Sequence, residues 1–349
     1  MKQASMAIIS FSAKGELLAE RIKNILKHPL QGCQWSVECT RKPDNIKYWC
    51  KEQFESKDAI LFIGAIGIAV RKIAPFIVHK TTDPAVLVID DLGIHMIPIL
   101  SGHLGGGNAL AKALAEPLGA RPVITTASDI NGKIAIDVFA KENHLYISSM
   151  KMATKVAAAI VDAESVSFQC LGDVHGIVPK ELSSEKDKSK YHVLVSPQKT
   201  ETLDNVFWLI PRAYVLGVGC KKGKSLQEIE AAVLDVLAVH KIPIQSVDIL
   251  VSIDLKKEEQ GLIDFCEKYH LPLKFYSSEE LLQVPGDFTE SAFVQAVTGV
   301  DNVCERAVMC RVREERQDAK EADVFMIKKT KKDGVTVALG KRKWGVTFE

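Results

Sequence analysis

The residues best suited to chemistry lie in one run, Ser101-Gly102-His103-Leu104-Gly105-Gly106-Gly107-Asn108. An apolar segment, His95 to Leu100, precedes it, and a helix-favouring one, Ala109 to Leu118, follows. Strand, glycine turn and helix in that order build an anion cradle. Glycine lets the backbone turn sharply and approach a ligand closely. The first amides of the helix then point outward, unpaired. His103 sets a titratable imidazole inside. It reads either as a general base beside oxyanion-binding amides or as a satisfied loop histidine. Asn108 reads as the cap of the following helix. The run lacks the lysine of a P-loop and the G-x-G-x-x-G spacing of a dinucleotide fold, so both nucleotide fingerprints are absent.

Other candidates surround it. Asp129, after Thr125-Thr126-Ala127-Ser128, orients an imidazole, binds a ligand group or caps the next helix. Arg71 follows Gly64-Ala65-Ile66-Gly67 in a short helix and meets either a ligand carboxylate or a surface partner. Asp83-Pro84 is a turn by composition, with a solvated Lys80 beside it. Downstream, Gly217-Val218-Gly219-Cys220-Lys221-Lys222-Gly223 forms a second cradle, and Ser225 with Glu228 makes a capping box that opens the next helix. Lys256 and Glu259 form a local ion pair or contact a ligand. Glu305 is a catalytic acid or the partner of Arg306 or Arg311. The basic cluster near the C-terminus, from Lys328 to Lys343, guards an exposed hairpin edge. It lacks the interleaved aromatics of a nucleic-acid surface beyond Trp344.

The elements that must hold these residues alternate. Strands are expected at Ala7 to Ser12, Trp35 to Thr40, Ala59 to Ala65, Ala85 to Ile89, Ile94 to Leu100 and Pro122 to Thr126, with helices between. Asp90-Asp91-Leu92-Gly93 makes a hairpin turn, and Pro98 makes the strand after it an edge or bulged one. Strand ends at Gly64, Ser101, His103 and Thr125 are expected to converge beyond the carboxyl edge of the sheet, where such folds bind ligands. Strands at Tyr214 to Val218, Val247 to Ile253 and Leu273 to Tyr276 repeat the pattern, and a hairpin closes the chain. The expected fold is α/β. Two doubly wound three-layer domains, residues 1–135 and 212–345, are joined by a smaller α/β segment, 136–211.

Bulk properties narrow the classes. With 349 residues, 47% hydrophobic and 26% charged, the chain is an ordinary multi-domain globular protein. A net charge of +1 gives no global field for nucleic acid. No apolar run reaches spanning length, and the N-terminus lacks a signal-peptide pattern, so a cytoplasmic location is expected. Eight cysteines without C-x-x-C or metal-finger spacing read as free, buried thiols.

Taken in order, these motifs carry a family likeness. Gly64 to Arg71, Asp83 to Val86, Ser101 to Asn108 and Thr125 to Asp129 resemble the cobalt-precorrin-5A hydrolase family, CbiG. Gly217 to Gly223, Asp254 to Leu262, and Thr298-Gly299-Val300 with Glu305 resemble its C-terminal, CobE-like domain. The resemblance implies a step of anaerobic cobalamin biosynthesis on a cobalt-bearing contracted tetrapyrrole. Water opens its ring-A lactone, and the extruded two-carbon unit leaves as acetaldehyde. His103, Asp129 and Glu305 would then be catalytic. Gly64, Gly67, Arg71, Asp83, Ser101, Gly105, Gly106, Gly107, Asn108, Thr125, Thr126, Gly217, Gly219, Cys220, Lys256 and Glu259 would bind the substrate, in a cleft between the two α/β units. The protein would need no cofactor, since the cobalt travels with the substrate. Expected partners are that macrocycle, a second copy of the chain, and transient contacts with other enzymes of the pathway, with neither nucleic acid nor membrane. Two alternatives are a non-catalytic tetrapyrrole carrier and a nucleotide-dependent transferase, the latter disfavoured by the missing P-loop lysine.

Overall fold

Unbroken apolar runs become central strands. A computed structural model describes residues 2–79, 82–103, 105–185, 188–199 and 204–348, so Leu104 of the glycine run and Lys80 lie outside the described residues. Two compact units divide at Phe139 and Ala140. The first begins with β1 (Lys2–Ser10), α1 (Ala13–Ile25), β2 (Cys33–Arg41), α2 (Ile46–Ser56), β3 (Ala59–Ile63), α3 (Ile66–Ile73) and β4 (Ala85–Ile89). It continues with β5 (His95–Leu100), α4 (Gly107–Leu118), β6 (Arg121–Pro122), α5 (Ala127–Ile130) and the start of α6 (Ile136–Glu142). Its six-stranded sheet has the order β2-β1-β3-β4-β5-β6. Alternate residues of each strand serve opposite faces. Met6, Ile8, Leu61 and Leu87 pack against α1 and α4. Ala7, Ile9, Ile60 and Val86 pack against α2 and α3.

One turn decides where the glycine run lies. The Asp90 carboxylate accepts hydrogen bonds from the amides of Leu92, Ile94 and His95 at 3.0, 3.2 and 2.7 Å. Gly93 supplies the left-handed conformation, φ +73°. The chain reverses there, and β5 runs antiparallel to β4, with Ile89 opposite Met96 and Val86 opposite Leu100. The register shifts beside Pro98, the bulge that its missing N–H predicts. The end of β5 therefore lies level with the start of β4. This corrects the expected convergence: the glycine run leaves the sheet at the amino edge of the parallel strands. Gly64, at the end of β3, lies at the carboxyl edge. The expected strand Pro122 to Thr126 is only the two-residue β6.

The second unit carries two larger sheets. Its first part comprises β7 (Tyr146–Ile147), α7 (Met150–Val161), β8 (Val166–Cys170), β9 (Asp173–His175), β10 (Leu182–Ser183), β11 (Tyr191–Val195) and β12 (Val206–Ile210). These strands, β9 apart, form a sheet of order β10-β8-β11-β12-β7. Next come β13 (Tyr214–Cys220), α8 (Leu226–Val239), β14 (Val247–Ile253), α9 (Gln260–Tyr269), β15 (Leu273–Tyr276) and α10 (Ser278–Gln283). Then follow α11 (Ala292–Thr298), α12 (Cys304–Glu315), α13 (Glu321–Val324), β16 (Phe325–Lys332), β17 (Val335–Lys341) and β18 (Gly345–Thr347). The second sheet has the order β15-β14-β13-β17-β16, with α8 and α9 on one face and α12 on the other. Asp333 and Gly334, both with positive φ, turn the β16–β17 hairpin. Edge strand β16 carries Lys328, Lys329, Lys331 and Lys332. β18 pairs with β9 and ties the chain's end to the middle segment.

All eight cysteines are free, but only Cys50, Cys266, Cys304 and Cys310 are buried; the other four are half-buried. No helix among the described residues is long and apolar enough to cross a membrane.

Gly217 sets how closely α12 approaches β13, since a Cβ there would stand 2.1 Å from the Cys304 carbonyl oxygen. Backbone cannot yield as a side chain can, so Gly217→Ala should cost about 1–3 kcal/mol, read as a lower urea midpoint. An unchanged midpoint would show that α12 can move aside freely.

Candidate functional site

The glycine run folds onto itself. Ser101 adopts a left-handed conformation, φ +52°, and its hydroxyl donates to the Asp83 carbonyl at 3.0 Å. The Gly106 amide donates to the His103 carbonyl (2.8 Å), Gly107 to Ser101 (3.1 Å) and Asn108 to Gly102 (2.8 Å). A Cβ on Gly105 would stand 2.3 Å from the Ser101 Cβ, so only glycine permits this return. The glycines thus serve a close approach of the chain to itself. The expected row of free amides is shortened accordingly, because those of Gly106, Gly107 and Asn108 are engaged inside the loop.

Asn108 is not the helix cap. Gly106, with φ +82°, holds that position. Asn108 is buried in the first turn of α4, and its side-chain amide donates to Thr126 Oγ1 at 2.8 Å and Asp129 Oδ2 at 2.9 Å. Lys112, one turn further along α4, donates from Nζ to Asp129 Oδ1 at 2.8 Å. His103 Nε2 stands 3.1 Å from Asp129 Oδ2 and 3.0 Å from Ser128 Oγ. Burial alone would raise the Asp129 carboxyl, but hydrogen bonds from Lys112, Asn108 and His103 outweigh it and hold the group below its ordinary range.

That charge assigns the histidine tautomer. An ionised carboxylate only accepts, so Nε2 carries a hydrogen, and in the neutral form of the ring Nδ1 then keeps the lone pair. The ring is held between the glycine loop and α5 with 22% of its side chain exposed. On its other side Nδ1 faces Asp137 Oδ1 at 3.7 Å. The site therefore offers an oriented, partly exposed imidazole whose Nδ1 is turned away from Asp129.

Several expected residues lie elsewhere. At the carboxyl edge of the sheet, the Gly64 amide donates to the Ile89 carbonyl at 2.8 Å. Arg71 folds back to the Gly67 carbonyl at 3.3 Å. These three do not join His103. Asp83 is buried and shapes its own turn, accepting from the Val78 amide at 3.1 Å. Thr125 is exposed beside Thr126.

In the second unit, Gly217 is a packing glycine, and the Gly219 carbonyl accepts from Thr336 Oγ1 at 3.1 Å. Burial raises the Cys220 thiol. Lys256 and Glu259 pair at 3.0 Å, and Glu259 also accepts from the Gly223 amide at 2.9 Å, clamping that loop. The reciprocal Ser225–Glu228 box closes the start of α8.

Glu305 is corrected most sharply. It is fully buried. Its carboxylate accepts from Thr289 N (2.7 Å), Thr289 Oγ1 (3.0 Å), Asn302 Nδ2 (2.8 Å) and Lys329 N (2.6 Å). It ties α12 to β16. Neither arginine is its partner, since Arg306 pairs with Asp301 and Arg311 with Glu314 and Glu315.

Sequence reasoning missed Lys112, Ser128 and Asp137 as site residues. The four-residue step from Asn108 to Lys112, which puts both on one helix face, was the available signal for the first.

Three family models match in succession between residues 48 and 340. "Cobalamin synthesis G N-terminal" matches residues 48–129, "Cobalamin biosynthesis central region" 134–211, and "Cobalamin synthesis G C-terminus" 214–340. A protein of Priestia megaterium named cobalt-precorrin-5A hydrolase is 33% identical over 308 residues, 82% of this chain and 79% of that one. The chain belongs to the CbiG family. A second relative of that name, from Salmonella typhimurium, is 32% identical over 321 residues, 87% of this chain and 90% of that one. A solved structure of a cobalamin biosynthesis protein G homolog from Sulfolobus solfataricus aligns over 97% of each chain at 22% identity and a TM-score of 0.40. The CbiG N-terminal match encloses His103, Asn108, Lys112 and Asp129, and the central match begins just before Asp137.

Two measurements check this description. Glu305→Ala strands several buried donors, so it should cost about 3 kcal/mol or more, seen as an early urea transition. A wild-type midpoint would contradict the buried tie. Asp129, with its carboxyl held low in the fold, contributes stability that is complete above about pH 4 and lost as pH falls further. The midpoint gap between wild type and Asp129→Asn should therefore stay constant above that pH and close below it. A gap that widens in acid would reverse the sign of the shift.

Proposed function

We propose that this chain hydrolyses the ring-A lactone of cobalt-precorrin-5A and releases the two-carbon unit as acetaldehyde, giving cobalt-precorrin-5B in the cytoplasm. The names of its relatives supply the substrate. The observation that carries the chemistry is the contact of His103 Nε2 with an ionised Asp129, which leaves Nδ1 free to take a proton.

In this reading His103 acts twice. Water first adds through oxygen to the lactone carbonyl carbon, and Nδ1 takes one of its protons. Collapse of the adduct breaks the ring C–O bond, and the departing alkoxide regains a proton as an alcohol. Nδ1 then takes the proton of that alcohol. Its C–O bond becomes a carbonyl, the carbon–carbon bond to the macrocycle breaks, and acetaldehyde leaves. The electron pair passes into the conjugated ring of the substrate, which carries its own cobalt. The imidazolium returns a proton to the macrocycle carbon. The protein contributes no cofactor. Glu305, buried and saturated, has no part in this cycle.

Anaerobic incubation of the purified protein with cobalt-precorrin-5A, with acetaldehyde measured by a coupled dehydrogenase, tests the proposal. Wild type should release acetaldehyde. His103→Ala should turn over about 10²–10⁴-fold more slowly at an unchanged melting temperature. Tight binding without acetaldehyde would mark a carrier. Full turnover by His103→Ala would remove the imidazole from the mechanism.

A further inference from the structure

The imidazole has a second carboxylate on its other side. Asp137 stands in the first turn of α6, with 13% of its side chain exposed. Its Oδ1 accepts from the neighbouring Val138 amide at 3.0 Å and faces His103 Nδ1 at 3.7 Å. That separation is too long for a hydrogen bond. In the neutral ring, with the Nε2 hydrogen directed at Asp129, Nδ1 has no hydrogen to offer a carboxylate. Among the described residues Nδ1 meets no donor, and Asp137 Oδ1, which already accepts from Val138, has a second lone pair to offer. One small molecule with two hydrogens, standing against both, satisfies them together. Water is that molecule, and it is also the co-substrate of a hydrolysis.

We propose that Asp137 is a second catalytic carboxylate of this site, seating the attacking water jointly with His103 Nδ1. This assignment rests on the hydrolase reading above. The step balances. Water directs one hydrogen to Nδ1 and the other to Asp137, which aims an oxygen lone pair outward. As that oxygen bonds to the lactone carbonyl carbon, the first hydrogen passes to Nδ1. The second stays on the new hydroxyl, still directed at Asp137, and leaves to solvent once the product acid ionises. The positive charge formed on the ring lies between Asp129 on Nε2 and Asp137 on Nδ1. Orientation of the nucleophile and placement of that charge thus come from one pair of aspartates eight residues apart.

Asp137→Asn is the informative variant, because its amide oxygen still serves the Val138 amide. The assay follows lactone opening as a gain of one water in mass, together with acetaldehyde, kcat, KM and melting temperature. We expect kcat to fall about 10²-fold, with KM and melting temperature near wild type. Wild-type kcat in Asp137→Asn, or a loss confined to KM, overturns the assignment. Asp137→Ala with added formate is the second arm: kcat that rises with formate supports the seat, and indifference to formate in folded protein overturns it. His103→Ala is run alongside. An inactive His103→Ala with a fully active Asp137→Asn sinks only the role of Asp137, whereas a fully active His103→Ala sinks the hydrolase reading itself.

Discussion

A carboxylate withdrawn from water must be met by donors, and Asp129 is met by three. Lys112 and Asn108 reach it from one face of α4, and His103 from the glycine loop. The result is more than a local ion pair. It keeps Asp129 ionised, fixes which ring nitrogen of His103 carries hydrogen, and docks α5 against the start of α4. Every chemical statement about the site follows from that one charge. Without it the imidazole could adopt either tautomer, and Nδ1 would have no defined role.

The hairpin at Asp90 to Gly93 is the constraint that gathers these groups. By reversing β5, it carries the glycine loop to the amino edge of the parallel strands. There Asp83 and Ser101 brace the loop through the Asp83 carbonyl. The carboxyl edge, where a simple doubly wound sheet would bind its ligand, holds instead Gly64, Gly67 and an Arg71 turned back along its own helix. The loop glycines answer the same geometry. They permit the chain to close on Ser101, and the amides of Gly106 and Gly107 are engaged in holding that closure.

Much of the fold was legible because its signals are local. Val247–Ile253 and Leu273–Tyr276 form strands with the boundaries that their apolar runs imply. The Ser225–Glu228 box opens α8 as its spacing requires. The pairing of His103 with Asp129 was also anticipated from their residue types. What escaped depends on contacts distant in sequence. Glu305 looks like any acid near a glycine turn until Thr289 and Lys329 arrive from other segments to saturate it. Asp137 belongs to no motif and gains meaning only opposite Nδ1. The hairpin turn was read correctly, yet its consequence, a strand end carried to the other edge, appears only when register is known. Glycine composition, likewise, does not distinguish closeness to a ligand from closeness to the chain itself.

Nitrogen NMR reads which ring nitrogen of His103 carries the hydrogen. In protein labelled with ¹⁵N at histidine, with His103 assigned by its loss in His103→Gln, the neutral ring at slightly alkaline pH should show hydrogen on Nε2 and a bare Nδ1. In Asp129→Asn that preference should weaken or disappear. A ring that carries its hydrogen on Nδ1 in the wild-type protein would contradict the account.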